Sequence, residues 1–171
     1  MTDFVTFLVF CQALGASVGA VTVIWGEFMY IRAMKDGEID VAERAHLNII
    51  AKGLRFGMTL LLLASFGLVI VAYILQATTQ PALTPAYWVL IMLSLLVISI
   101  SWALSRKKVS FAAGSAIIFT AWWFLAYLTF GWLPHLSFGS AVALLVVATA
   151  VTYAMFHYIR LFAGHLAQNK N

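Results

Sequence analysis

Apolar residues run along this chain in five long blocks that are separated by short polar connections. Each block has at least the roughly 20 residues that an α-helix needs to cross a hydrocarbon layer about 30 Å thick. Transmembrane β-strands do not fit, because the apolar runs are continuous and do not alternate. The pattern predicts an all-α, polytopic membrane protein, a five-transmembrane-helix bundle that forms one integral membrane domain over residues 1–171. The predicted spans are about 4–31, 56–76, 86–105, 109–131 and 137–159.

Composition supports the same class of protein. Of the 171 residues, 64% are hydrophobic and 9% are charged, and the mean hydropathy is +0.99. A soluble domain of this size cannot bury so much apolar surface, since small domains leave a large share of their surface in solvent. These values exclude a soluble globular enzyme, a disordered chain and a nucleic-acid binder. The single cysteine excludes a disulfide framework.

The basic residues fall on one side of the predicted bundle. They flank the first and third connections and follow the last span, while the second and fourth connections carry no Lys or Arg. The positive-inside rule then places the N-terminus outside and the C-terminus in the cytoplasm. A short chain with short loops and this charge bias is typical of a bacterial inner membrane. Six of the basic residues are expected at lipid headgroups: Arg44, Lys52, Arg55, Arg106, Lys107 and Lys108.

The first cytoplasmic connection leads into a predicted amphipathic helix over about residues 41–55. Asp40 is placed to cap this helix, with Glu43 three residues later, as in a capping box. An unbroken helix from 41 to 76 is about 54 Å long, which exceeds the bilayer. We therefore expect its first turns to project from the membrane or to lie along the headgroups.

Small residues line up on three of the predicted helices. At 100° per residue they form one face on each helix, and small faces let membrane helices approach closely. The faces of helices 1 and 2 are natural partners for each other. The predicted packing positions are Gly15, Gly19 and Gly26 on helix 1, Gly53, Gly57 and Gly67 on helix 2, and Ala143 and Ala150 on helix 5.

Glu27 is the only carboxylate inside a predicted span, and a membrane carboxylate is a functional candidate. His157 lies at a similar depth on helix 5, so a Glu27–His157 proton relay is one hypothesis. The alternative is that Glu27 reaches water or pairs with a basic residue such as Arg32 or Arg55. Other candidates for a pathway or relay are polar side chains that could equally be packing hydrogen bonds: Gln12, Ser94, Ser101 and Ser105.

The residues contain no motif for metal, nucleotide or covalent chemistry. Of the four histidines, His135 lies on the opposite side from the other three, so His46 and His157 are the one pair on a common side worth testing as haem ligands. We predict no cofactor and no bound metal, with haem b as the alternative, and we expect no conventional enzyme activity.

The segment Gln12-Ala-Leu-Gly-Ala-Ser-Val-Gly19, with the charged turn and amphipathic entry that follow, resembles the opening of small bacterial CopD-like and HemJ-like multi-pass membrane proteins. The resemblance covers about 70 residues. It implies a compact membrane-embedded bundle of redox, haem or copper type. In those families a His begins the motif, whereas this chain has Gln12, and Trp25-Gly26 comes later than the family tryptophan. We therefore expect this chain to share the architecture of those families but not their activity.

Three functions follow as hypotheses. The first is a transport or permeation unit that works as an oligomer, with Glu27 as the coupling or pathway carboxylate. The second is a haem- or copper-linked membrane redox subunit. The third is a structural or assembly protein that uses one small-residue face for a partner. The expected partners are the lipid bilayer and either further copies of the chain or another membrane protein, and no nucleic acid.

Overall fold

The structure is a computed structural model that describes residues 2–36, 41–77, 80–132 and 137–168. The side chains are described for residues 3–32, 46, 48–77, 80–132 and 137–162. Five long helices and one short 3-10 turn, Pro81–Leu83, make up this part of the chain. The helices are α1 (Thr2–Asp36), α2 (Val41–Ile74), α3 (Pro85–Ser105), α4 (Phe111–Thr129) and α5 (Phe138–Gln168).

All five described helices are long and apolar enough to cross a membrane, which confirms the predicted number of spans. Their apolar windows are Asp3–Arg32, Asn48–Ile74, Pro85–Ser105, Phe111–Thr129 and Phe138–Phe162. α2 begins at Val41 and continues without a break into the span, as the 41–55 amphipathic entry predicted. The proposed Asp40 cap lies outside the described residues.

The connections follow from local sequence. Thr84 caps α3 by accepting a hydrogen bond from the Tyr87 amide, and Pro85 occupies the first helical position, where its missing N–H is not needed. Ser110 caps α4 through the Ala113 amide. Lys107 adopts a left-handed backbone with φ of 55°, which turns the chain sharply between α3 and α4.

α1 and α2 form the most extensive helix pair, and glycines set how closely they approach. A Cβ added at Gly15 would lie 2.7 Å from the carbonyl oxygen of Gly57, and one added at Gly57 would lie 2.8 Å from that of Gly15. Backbone therefore meets backbone at this crossing, which only glycine permits. Gly19 faces the Trp122 ring, and Gly53 faces Thr22.

α4 is the central helix and packs on α1, α3 and α5. Its Trp122 is fully buried, and Leu61, Leu93 and Leu125 are fully buried around the same core. At this level the bundle is filled by side chains.

α5 is the least buried of the described helices, with 11% of its apolar window inside the bundle. Its buried face carries Ala141, Leu145 and Phe156. Ala143 and Ala150, predicted as packing positions, are exposed within this chain. The prediction differs because α5 is apolar on every side, so helical periodicity cannot select the face that turns inward.

Candidate functional site

Glu27 of α1 and Arg160 of α5 form an ion pair at the end of the bundle where α3 and α4 are joined by Arg106, Lys107 and Lys108. We call this end the basic end. The Arg160 Nη2 donates to both Glu27 carboxylate oxygens, at 2.8 and 3.1 Å. The Glu27 side chain is 9% exposed and the Arg160 side chain is 12% exposed, so water screens the pair little. The pair joins two helices through residues that are 133 positions apart in the sequence.

Three aromatic rings surround the Arg160 guanidinium. Its carbon lies 5.0 Å from the Tyr30 ring centre, 5.7 Å from that of Phe111 and 5.6 Å from that of Phe156. Tyr30 and Phe111 stack on each other with ring centres 3.9 Å apart. A guanidinium gains from aromatic faces because their π electrons are negative, and the gain grows with desolvation. The three rings come from α1, α4 and α5, so the cation sits where these helices meet.

Ser115 of α4 completes the cluster, because the Arg160 Nη2 also donates to its hydroxyl oxygen at 2.8 Å. The Ser115 hydroxyl in turn donates to the Ala112 carbonyl. The Nε–H of Arg160 is buried and has no partner in the described part of the chain. An unused buried donor carries a free-energy penalty of the order of 1–3 kcal/mol. The cluster is balanced in charge but keeps one donor unsatisfied.

A cleft opens beside this cluster, between α2 and α3. These two helices follow each other in sequence, yet they are not among the helix pairs that pack substantially together. The larger cavity in the cleft measures about 560 Å³. It runs from the basic end towards mid-span and is mainly apolar, with Met58, Leu62, Val97, Ile98 and Trp102 in its wall.

A second cavity of about 220 Å³ lies beside the cleft. Leu54 and Ser101 line both cavities, so they mark the junction. Glu27 and Ser115 line the inner cavity. The cavity that contains Glu27 therefore lies next to the gap between α2 and α3.

The polar groups of the cleft lie towards the basic end. Among the described residues, Arg55 is the one charged residue in the wall of the larger cavity, which also contains the hydroxyls of Thr59, Ser101 and Ser105. Thr59 and Ser101 make no hydrogen bond within the described part of the chain, whereas Ser105 donates to the Trp102 carbonyl at 2.7 Å. The cleft is therefore amphipathic along its length, with an apolar inner part and a polar mouth.

The predicted polar candidates separate into two groups. Gln12 and Ser94 are packing residues: Gln12 Nε2 donates to Ser65 Oγ at 3.0 Å between α1 and α2, and the fully buried Ser94 donates to the Leu90 carbonyl. Ser101 and Ser105 line the cleft. The same α3 line of serines thus serves packing at one end and a cavity at the other.

No ion pair or hydrogen bond joins His157 to Glu27 within the described residues, so the relay between them stays a prediction. The His157 ring is exposed and lies near Tyr153 and Tyr158 on its own helix. Arg32 and Arg55, the suggested alternative partners, are also exposed, and Arg160 takes the carboxylate. Arg160 can bind the carboxylate because its side chain is long. It lies about one turn nearer the end of α5 than His157 and extends back into the bundle.

The haem pair stays a prediction: His46 lies on α2, which packs chiefly on α1, and His157 lies on α5, which packs chiefly on α4. Among the described residues no group of three or more His, Cys, Asp and Glu side chains lies together.

Most predicted headgroup residues are exposed at the basic end, namely Lys52, Arg55, Arg106, Lys107 and Lys108. Arg106 and Lys108 lie over the Trp102 ring, at 4.6 and 5.0 Å from its centre. The side chain of Arg44 lies outside the described part of the chain.

Three parts of the site escaped sequence reasoning: Arg160, Ser115 and the cleft. Arg160 had a usable signal, since it lies about one helical turn beyond His157, near enough in depth for its long side chain to reach Glu27. Ser115 had none, because serine is common in membrane helices. The gap between α2 and α3 depends on how far two helices stand apart, and the sequence pattern does not contain that distance.

Comparison of the chain with known protein families, curated proteins and solved structures finds no match.

Proposed function

We propose that this protein is a small transport-type membrane protein that takes an amphipathic molecule from the bilayer into the cleft between α2 and α3. The observation that carries the proposal is the junction of the two cavities at Leu54 and Ser101. There an apolar groove at the side of the bundle lies next to the cavity that contains Glu27. A pocket with apolar walls and a few polar groups at one end is suited to an amphiphile.

An aqueous channel through one copy of the chain fits this arrangement less well. Trp122 and the three fully buried leucines fill the bundle at mid-span, and a polar pathway needs space that this packing denies. A lateral cleft requires no such pathway.

In this proposal Glu27 is the pathway carboxylate, and Arg160 holds its charge in place. The polar part of the substrate occupies the mouth of the cleft, and the inner cavity brings it beside Glu27 and Ser115. We further propose that the basic end faces the cytoplasm, in accord with the positive-inside rule.

The test is translocation of a fluorescent phospholipid between the leaflets of proteoliposomes. NBD-labelled phosphatidylglycerol and phosphatidylcholine are reconstituted with the purified protein, and dithionite bleaches the label in the outer leaflet. Protein-dependent bleaching beyond the outer-leaflet fraction reports translocation. We expect Ser101→Phe to abolish it, because the ring blocks the junction.

Ser99→Phe is the matched control, since Ser99 is exposed on the same helix and lines neither cavity. Equal translocation in the two variants, or none of either phospholipid with the unaltered protein, would overturn the proposal.

A second candidate, assembly through α5 with another copy of the chain, is favoured by one observation. The small faces of α1 and α2 are used on each other, while Gly139, Ala143 and Ala150 of α5 are exposed. In a Cys11→Ser background, Ala143→Cys should form a disulfide dimer in native membranes, whereas Ile70→Cys, exposed on α2, should not. Equal cross-linking at both positions would count against this candidate.

A further inference from the structure

The charges around the cleft point to the headgroup of its ligand. We propose that the cleft binds an amphiphile with an anionic headgroup, drawn from the surrounding bilayer, with the headgroup at Arg55 and the chain along the apolar wall. This inference rests on the proposed function, because it names the class of molecule that the cleft would take.

The charges in the walls of the two cavities are not balanced. Of the residues whose side chains the structure describes, Arg55 is the one charged residue in the wall of the larger cavity, and Glu27 is the one charged residue in the wall of the smaller. Arg160 neutralises Glu27 at 2.8 Å. Among the described residues that leaves Arg55 as an uncompensated positive charge, with no described hydrogen-bond or ion-pair partner of its own.

Two more cations lie over Trp102 at the mouth of the cleft. This ring is part of the cleft wall, and Arg106 and Lys108 lie over it at 4.6 and 5.0 Å. A headgroup beside Arg55 is therefore near three cations. Arginine binds phosphate and carboxylate groups through directed, charge-assisted hydrogen bonds, so it favours an anion strongly over a neutral group.

Two hydroxyl groups in the cleft wall have hydrogen-bonding capacity to offer a ligand. The Thr59 and Ser101 hydroxyls line the cleft and have no hydrogen-bond partner within the described part of the chain. Hydroxyls in an apolar setting gain from a polar ligand group, such as an ester or a phosphate oxygen. Thr59 lies one helical turn beyond Arg55, the direction in which the chain would leave the headgroup.

The apolar wall then accepts the first part of a hydrocarbon chain. From Arg55 to Leu62 the helix rises about 10 Å, and Val97 and Ile98 face this stretch from α3. The rest of a longer chain would leave the cleft sideways among the bilayer lipids, because Ile98 and Trp102 are half exposed.

The experiment measures quenching of Trp102 fluorescence by lipids that carry bromine in the chain near the headgroup. The intact protein in phosphatidylcholine vesicles is titrated with brominated phosphatidylglycerol, brominated phosphatidylcholine and a brominated trimethylammonium lipid. Subtracting the signal of Trp102→Phe isolates the cleft tryptophan. Quenching of the exposed Trp25 and Trp88 reports lipids that merely surround the protein.

We expect saturable quenching by the anionic lipid and about fivefold weaker apparent binding in Arg55→Gln. Lys52→Gln is the matched control, because it removes the same charge from the same helix at an exposed position outside both cavity walls. Ser101→Phe should reduce the saturable quenching, and Ser99→Phe should leave it unchanged.

Each outcome decides something. Equal quenching by all three headgroups would overturn the anionic ligand and leave the cleft as a binding site. An equal loss in Arg55→Gln and Lys52→Gln would show general attraction to the basic end and would also overturn it. Anion-selective quenching without translocation of any labelled phospholipid would support this ligand while the transport function failed.

Discussion

Glu27 and Arg160 meet through one nitrogen of the guanidinium, which donates to both carboxylate oxygens at 2.8 and 3.1 Å. The pair fastens α5, the least buried of the described helices, to α1. Burying either charge alone would carry a large desolvation free energy, whereas the pair with its hydrogen bonds is tolerated. The pair therefore fixes the rotation of α5 in the bundle.

The first prediction concerns the energetic coupling of this pair. Glu27→Gln leaves the Arg160 charge buried without its counter-ion, and we expect the free energy of unfolding to fall by roughly 3 kcal/mol. Arg160→Gln should have a comparable effect. The double variant should lose clearly less than the sum of the two, because neither uncompensated charge remains.

Unfolding in detergent, followed by far-ultraviolet circular dichroism, measures all three variants. Lys52→Gln removes an exposed charge at the same end and should unfold as the unaltered protein does. Additive losses in the double variant would mean that the two charges do not depend on each other.

The second prediction reverses the usual effect of replacing glycine in a helix. Glycine-to-alanine changes normally stabilise a helix by about 0.5–1 kcal/mol. Gly57→Ala should instead destabilise the bundle by roughly 1–3 kcal/mol, because the new methyl group meets the backbone of α1 and the two helices must separate.

Gly139→Ala serves as the control, since nothing lies within 4 Å of a Cβ added there. It should be neutral or stabilising by up to about 1 kcal/mol. Similar thermal shifts in the two variants would show that the α1–α2 crossing does not require glycine.

The architecture could be predicted because the signals that define it are local. An apolar run of about 20 residues is sufficient to identify a membrane-spanning helix, and the glycines on α1 and α2 predict a close crossing of these helices. Gly15 and Gly57, assigned to facing surfaces from their periodicity, are in contact in the structure. The face of α5 could not be assigned in this way, because its apolar residues surround the helix.

The site could be predicted only in part. Glu27 stood out because a carboxylate is rare inside a span, but its partner depends on the reach of Arg160 across the bundle. The alignment of Ser101 with other serines on α3 predicts a polar role for it. Its place where two cavities meet depends on the spacing of α2 and α3. Such spacings arise from the packing of the whole bundle.

The third prediction separates Gln12 from any ligand role. Its amide donates to Ser65 at 3.0 Å, and Ser65 donates to the Leu61 carbonyl. Hydrogen bonds between membrane helices contribute about 0.6 kcal/mol on average. Gln12→Leu should therefore lower stability by about that amount and leave phospholipid translocation unchanged. A variant that folds normally but no longer translocates lipid would assign Gln12 to the pathway.

The fourth prediction tests whether Arg160 is needed for its shape as well as its charge. Arg160→Lys keeps a cation for Glu27, but an ammonium is a point charge and cannot stack as a planar guanidinium does. It should lose the Ser115 hydrogen bond and part of the interaction with Tyr30, Phe111 and Phe156.

We expect a loss of about 1–2 kcal/mol, smaller than that of Arg160→Gln, in the same unfolding measurement. Ser115→Ala added to Arg160→Lys should then have little further effect, because the hydrogen bond is already gone. If the lysine variant matched the unaltered protein, charge alone would hold α5 in place. If it were as unstable as Arg160→Gln, the rings and Ser115 would matter more than the ion pair itself.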